Sequence, residues 1–209
     1  VSVVAEAAVA LLGEEEMREG EGSHGDRSGC GVEPAAGPPV RWCADEILPS
    51  LLLGTAAFAG SLTLLRERGV THIVNVTSAP CGFPEDFQYW HVPIEDDRRA
   101  QLLPLLDGAL GFMRAALAAQ EEPSATPPLQ RRHTVLVHCR EGASRSVAVL
   151  LAYLVRFEGL ALGRALELVR ARRPPEARTQ PNAGFMAQLR AFEAAEHASL
   201  AAAGPKGPL

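Results

Sequence analysis

Residues 134–159 of this 209-residue chain, TVLVHCREGASRSVAVLLAYLVRFEG, carry the clearest signal of its fold. The first five of these residues, ending at His138, are β-branched and apolar, which is typical of a buried strand. A turn that contains Gly142 follows. From Val147 onward apolar residues occupy nearly every face of a helix, which indicates that the helix is buried. These residues predict a strand, a tight turn and a core helix within an α/β domain.

The turn at residues 138–146, HCREGASRS, has the composition of an anion site. A strand, a glycine turn and a buried helix aim backbone N–H groups and the positive helix end at one point, which attracts a phosphate-sized anion. Arg145 can bind two phosphate oxygens with its planar guanidinium, and Gly142 permits the required backbone turn. The same groups favour the thiolate of Cys139, so we expect a lowered pKa and a nucleophile at neutral pH.

These residues match the HCxxGxxRS phosphate-binding loop of the cysteine-dependent protein tyrosine phosphatases, and the SRS ending resembles the dual-specificity branch. The segments ILPSLLLG, THIVNVT, HVPIEDD, AYLV and PNAGFMAQL resemble that branch in the same order, so that the resemblance covers about residues 44–196. It implies an α/β fold with a single phosphatase-like domain. Its sheet is mixed but mostly parallel and flanked by helices, and the nucleophile loop lies at the carboxyl edge.

The resemblance also implies a role for each site residue. Cys139 is the nucleophile, Arg145 binds the phosphoryl group, and Ser146 stabilises the departing thiolate. His138 supports the loop and helps to tune the thiolate, while Asn182 braces the loop. The remaining phosphate-binding positions are Arg140, Glu141, Gly142, Ala143 and Ser144. No cofactor is implied, and the four cysteines show no spacing suited to zinc, so we expect no metal.

The leaving oxygen of a phosphate ester needs a proton, which a carboxylic acid can supply. Glu95, Asp96 and Asp97 directly follow YWHVPI, which is predicted to be a strand. The PIED segment resembles the acid-bearing loop of the family, with Asp96 at the position of the catalytic aspartate. Glu95 and Asp97 are alternatives, because spacing alone does not show which side chain points inward. A solvated acidic turn is the remaining interpretation.

The resemblance predicts a dual-specificity protein phosphatase that hydrolyses phosphotyrosine and phosphoserine or phosphothreonine through a phosphocysteine. Arg140 is offset by Glu141, which favours a phosphoprotein over an inositol lipid or an RNA 5′-phosphate. Mitogen-activated protein kinases are substrates typical of the family. The main alternative is a catalytically weak phospho-binding adaptor on the same fold. A sulfurtransferase or an arsenate reductase fits less well, because the loop lies late in the chain and an acid precedes it.

Charge and composition limit the binding partners and the cellular location that we expect. Residues 1–40 carry eight acidic side chains against two arginines, and the rest of the chain has seventeen acidic and eighteen basic residues. A nearly neutral body favours neither nucleic acid nor an anionic membrane surface. No run of 18 apolar residues occurs, so we expect no membrane span and an intracellular protein, cytoplasmic or nuclear. The predicted organisation is a disordered leader at 1–40, a catalytic domain at 41–198 and a flexible tail at 199–209.

Local patterns predict the remaining elements. Short apolar runs broken by Pro49 suit edge strands within residues 46–54. Further elements are a helix at 61–68 between Ser61 and Gly69, strands at 71–77 and 89–94, a helix at 101–120, a Pro-rich surface loop at 121–132, and helices at 161–172 and 182–198. The segment PPEARTQ, residues 174–180, enlarges the loop before Asn182. We interpret it as a tolerated surface insertion, with an altered pocket rim as the alternative.

Overall fold

The computed structural model describes residues 43–119 and 133–202. The predicted leader, the Pro-rich loop and residues 203–209 lie outside this part of the chain. Five strands are described: β1 (Ala44–Leu48), β2 (Leu51–Thr55), β3 (Val70–Asn75), β4 (Gln88–His91) and β5 (Thr134–Cys139). The described helices are α1 (Ala56–Ala59), α2 (Leu62–Glu67), α3 (Leu103–Ala118), α4 (Arg145–Glu158), α5 (Leu162–Ala171) and α6 (Ala183–Ala202).

The strands form one sheet in the order β1-β2-β5-β3-β4, and all neighbours are parallel except β1 and β2. This confirms the predicted mixed, mostly parallel sheet. The central strand β5 is buried on both faces, since Val135 and Val137 contribute to one hydrophobic cluster and Leu136 to the other. Such two-sided burial explains why this strand is a continuous apolar run.

The prediction of edge strands at 46–54 is correct for β1 and wrong for β2, which lies between β1 and β5. Pro49 and Ser50 fall in the turn between the two strands, and Ser50 has a positive φ of 64°. Pro49 therefore removes no donor from either ladder. The side chains of β2 are fully buried, as an interior strand requires.

Helices cover both faces of the sheet. α3, α4, α5 and α6 share one hydrophobic cluster with one face, whereas α1 and α2 pack against the other. α4 has eleven buried residues among fourteen, which confirms the predicted core helix. No single helix in the described ranges could cross a membrane by length and apolar content; α4 and α5 meet that test only together, with a bend of 119° between them.

Helix ends follow the local sequence in part. Ser61 caps α2 by accepting a hydrogen bond from the Leu64 N–H, and Gly69 follows with a φ of 63°, as predicted. The four-residue helix α1 was not predicted from the sequence; Thr55 caps it. α6 continues through Ala202, so the predicted start of the tail at 199 is wrong. The alanine-rich sequence there has high helix propensity.

The ends of three parallel strands meet at one edge of the sheet. Thr55 at the end of β2 pairs with Cys139 at the end of β5, and Asn75 at the end of β3 pairs with His138. Beyond the ladders, the Ala56 N–H donates to the Arg140 carbonyl at 3.1 Å. The loop after β5 is therefore held by its neighbours on both sides.

A buried histidine lies at the centre of this edge. His138 is 6% exposed, and burial lowers the pKa of its imidazole to about 4. Its Nδ1 has no hydrogen-bond partner among the described residues. The ring is therefore neutral at neutral pH. Protonating it in acid would place a charge in a buried position, which is unfavourable.

We expect the free energy of unfolding to decrease as the pH falls from about 6.5 towards 4. The folded state holds the pKa of His138 below its unfolded value, so the stability present above pH 6.5 is lost as protons bind the unfolded chain. The full loss corresponds to roughly 3 kcal/mol. Urea unfolding across this range should show a shallower dependence in His138→Asn, with His72, whose pKa is also lowered by burial, still contributing.

The control is His197→Asn on the exposed face of α6, which should retain the parental pH dependence. If the free energy of unfolding of His138→Asn depends on pH as strongly as that of the parent, His138 is not the source of the pH dependence.

Candidate active site

The loop from β5 to α4 curls tightly at Gly142. This residue has a φ of 66°, in the left-handed region that favours glycine. A Cβ atom at this position would lie only 2.7 Å from the Gly54 carbonyl oxygen on β2. Both the backbone angle and the close approach therefore require glycine. This agrees with the expectation that Gly142 permits the backbone turn.

Cys139 lies at the base of this loop and is 2% exposed. The Ser146 hydroxyl donates a hydrogen bond to its Sγ at 3.1 Å. Burial by itself would raise the pKa of Cys139. Hydrogen bonds from the Ser146 side chain and from the Ser146 and Ala143 backbones, with the charge of Arg145, outweigh burial and lower the pKa. The direction agrees with the sequence-based prediction.

Arg145 is the first residue of α4 and is 8% exposed. Its Nη1 donates to the Ile94 carbonyl oxygen at 3.3 Å, which joins α4 to the chain that follows β4. Its Nε has no hydrogen-bond partner among the described residues. The guanidinium is thus oriented by one contact and keeps donors for an anion.

The three candidate acids make different contacts. Asp96 Oδ1 accepts hydrogen bonds from the Ser144 hydroxyl at 2.7 Å and from Asn182 Nδ2 at 2.8 Å. Glu95 accepts from the Ser78 hydroxyl, and Asp97 accepts from the backbone N–H of Arg99, each at 2.7 Å. Of the three carboxylates, Asp96 is the one that bonds to a residue of the loop between β5 and α4.

Asn182 connects three parts of the site. Its backbone N–H donates to the Ser144 hydroxyl at 3.1 Å, and its side chain donates to Asp96. Its Oδ1 accepts from the Phe185 N–H at 2.9 Å, which caps the start of α6. Asn182 therefore links the start of α6 to Ser144 and to the candidate acid Asp96.

An open pocket of about 310 Å³ brings the predicted residues together. Its floor and walls are formed by the loop and by the acidic segment: Glu95, Asp96, Asp97, Cys139, Arg140, Glu141, Ala143, Ser144 and Arg145. Four of the predicted residues are not among the lining residues: His138, Gly142, Ser146 and Asn182. Because His138 is neutral, it contributes no positive charge to the thiolate, so any tuning by this residue acts through packing and the backbone. In the described ranges, no group of three His, Cys, Asp or Glu side chains could hold a metal ion.

The enlarged segment 174–180 reaches the site, which sequence reasoning missed. The Gln180 N–H donates to the Ala143 carbonyl oxygen at 2.9 Å. Arg173 is buried, pairs with Asp45 on β1 at 2.9 Å, and donates to the Thr179 hydroxyl at 2.8 Å. Residues 174–176, 178 and 180 are exposed, as those of a surface insertion would be, whereas Thr179 is buried and Gln180 bonds to the loop after β5. An arginine before two prolines gives no local signal of such burial.

The chain is similar to known phosphatases over most of the described residues. The family model "Dual specificity phosphatase, catalytic domain" matches residues 51–195. Human dual specificity phosphatase 28 is 36% identical over 165 residues, which cover 78% of this chain and 82% of that protein. Human dual specificity protein phosphatase 4 is also 36% identical, over 168 residues that cover 78% of this chain. The chain spans only 39% of the length of that protein.

Solved structures show the same fold. The crystal structure of human dual specificity phosphatase 28 has a TM-score of 0.64 at 35% identity, with 75% of this chain and 99% of that chain covered. A mouse putative dual specificity phosphatase complexed with zinc tungstate has a TM-score of 0.65 at 34% identity, with coverages of 82% and 97%. With the loop geometry described above, these similarities show that the chain belongs to the dual specificity phosphatase family of the protein tyrosine phosphatase superfamily.

Proposed function

We propose that this chain is an active protein phosphatase that removes phosphate from tyrosine and from serine or threonine side chains through a phosphocysteine. One observation carries the proposal: a cysteine with a lowered pKa, an arginine with free donors and a carboxylate bonded to the phosphate loop line the same pocket. Family membership supports the reaction class, and these groups supply a nucleophile, an anion clamp and an acid.

In the first step, the Cys139 thiolate attacks phosphorus in line with the ester oxygen. The new S–P bond forms as the P–O ester bond breaks, and protonated Asp96 gives its proton to the leaving oxygen. Arg145 and the loop N–H groups hold the non-bridging oxygens while charge builds on them. The products are the free alcohol or phenol and phosphocysteine.

In the second step, water attacks the phosphocysteine. Asp96, now a carboxylate, takes one proton from this water as the new P–O bond forms and the S–P bond breaks. The thiolate leaves, and the Ser146 hydroxyl, which lies 3.1 Å from the sulfur, donates a hydrogen bond to it. Inorganic phosphate is released, and both Cys139 and Asp96 return to their starting protonation states.

The rim of the pocket favours a phosphoprotein as substrate. Glu95, Asp97 and Glu141 contribute three carboxylates near Arg140. A cluster of lipid phosphates would meet repulsion at this rim, whereas a single phosphorylated side chain enters towards Arg145. Mitogen-activated protein kinases are suitable first substrates to test, since they are typical of the family.

Cys139→Ser should lower kcat for p-nitrophenyl phosphate by more than about 1000-fold, because a serine hydroxyl is not ionised at neutral pH. Tungstate binding, measured by calorimetry, should persist because the loop is intact. The matched control is Cys81→Ser, which changes a free cysteine outside the pocket and should leave turnover unchanged. If the parent protein shows no vanadate-sensitive turnover under reductant from about pH 5 to 8, the adaptor function is correct instead.

Asp96→Ala should lower kcat by roughly 100-fold and remove the alkaline limb of the pH–rate profile, because that limb reports loss of the acidic proton. Asp97→Ala is the matched comparison on the same loop and should have a much smaller effect. Steady-state kinetics from about pH 5 to 8 separate the two. An Asp96→Ala enzyme as fast as the parent would exclude this residue as the acid.

Ser146→Ala should raise the pKa of Cys139, because it removes a hydrogen bond that stabilises the thiolate. The acid limb of the pH–rate profile should move to higher pH, and alkylation by iodoacetamide should require a higher pH. Rapid-quench kinetics should also show slower breakdown of the phosphocysteine. An unchanged alkylation profile would mean that the loop backbone and Arg145 suffice to ionise the sulfur.

A further inference from the structure

The acid loop, defined as residues 94–102, lies directly on α6. Beyond the contact between Asp96 and Asn182, it approaches the helix at Gly184, where an added Cβ atom would overlap the Arg98 carbonyl oxygen. The absence of a side chain at Gly184 therefore allows the backbone of the loop to touch the helix. Two separate contacts thus bring the first half of the acid loop against α6.

Gln188 holds the second half of the loop with both ends of its amide group. Its Nε2 donates to the Ala100 carbonyl oxygen at 2.8 Å, and its Oε1 accepts from the Leu102 N–H at 2.7 Å. A longer contact of 3.4 Å joins the same oxygen to the Leu103 N–H. Leu102 is the N-cap residue of α3 and makes no capping bond with its own side chain. Gln188 therefore replaces the missing cap from another helix.

These contacts limit how far the candidate acid can move. Asp96 lies four residues before Ala100, and Asp96 itself is exposed, so packing against the core does not hold it. If the backbone at residues 100–102 separated from α6, the chain that carries Asp96 would gain freedom at that end. General acid catalysis requires hydrogen-bond distance to the leaving oxygen, so such freedom would reduce catalysis.

We propose that Gln188 is a positioning residue for catalysis, which acts by fixing the acid loop to α6 and thereby placing Asp96 at the phosphate loop. The inference rests on the proposed role of Asp96 as the acid. Gln188 is not among the residues that line the substrate pocket. Its effect on catalysis should therefore pass through Asp96 and leave phosphate binding unchanged.

Gln188→Met, which keeps the side-chain volume but loses both hydrogen bonds, tests the proposal. We expect kcat for phenyl phosphate, whose leaving group needs protonation, to fall about tenfold, and a clearly smaller loss for a substrate with an acidic phenol. Competitive inhibition by inorganic phosphate should change less than about twofold. The matched control is Gln101→Met, since Gln101 is exposed and donates only within the loop, to the Arg99 carbonyl. It should behave as the parent protein does.

A double-mutant cycle decides between positioning and general damage. In the Asp96→Ala background, Gln188→Met should change kcat by less than about twofold, because the group that it positions is already absent. An equal loss in both backgrounds would overturn the proposal, since the effect would then not pass through Asp96. A parental kcat in Gln188→Met would also overturn it.

Amide hydrogen exchange separates this proposal from the proposed function. Gln188→Met should speed exchange at Leu102 and across residues 95–103, even if the protein hydrolyses nothing. Gly184→Ala should do the same at the Arg98 end, although alanine has the higher helix propensity. If the parent protein shows no turnover, only the proposed function is wrong. If both variants exchange at the parental rates, α6 does not hold the loop.

Discussion

The pKa of Cys139 is lowered in a place where burial opposes ionisation, and the surrounding site is arranged to overcome that opposition. Cys139 lies at the end of the central strand and is almost fully buried, so desolvation by itself favours the neutral thiol. The charge is stabilised because Ser146, the loop backbone and Arg145 all direct positive or donor groups at one sulfur. That convergence requires the tight turn at Gly142, where the backbone packs against the β2 carbonyl of Gly54. The lowered pKa of Cys139 thus depends on the backbone geometry at this edge of the sheet.

Helix α6 carries much of the remaining organisation of the site. It begins at the point where Asn182 contacts Asp96 and Ser144, and within its first two turns it meets the acid loop at Gly184 and Gln188. Its apolar face, with Phe185 and Leu189, is buried in the same cluster as α4. The helix that starts with Arg145 and the helix that holds the acid loop therefore share one core. The residues proposed as phosphate ligand and acid are therefore attached to helices that pack in the same cluster.

The segment 174–180 contacts the loop after β5 and contributes none of the proposed catalytic groups. The buried guanidinium of Arg173 is paired with Asp45 on the edge strand β1 and with Thr179 of the segment. Because its partners satisfy it, this charge can be buried at the back of the loop. The Gln180 N–H then fixes the Ala143 carbonyl. In a trans peptide the N–H of the next residue points the opposite way, so the Ser144 N–H points away from Gln180.

Local periodicity predicts the α/β class, the central strand and the core helix, and short contiguous motifs are enough to propose Cys139 as nucleophile, Arg145 as phosphate ligand and Asp96 as acid. Neither kind of pattern shows that β2 is an interior strand, that His138 is neutral, or which distant residues Arg173, Gln180 and Gln188 contact. Ala100 and Gln188 are 88 residues apart in the chain, and Asp45 and Arg173 are 128 apart. Contacts at such separations, and the burial that sets the pKa values, exist only after distant elements pack together, so tertiary structure alone decided them.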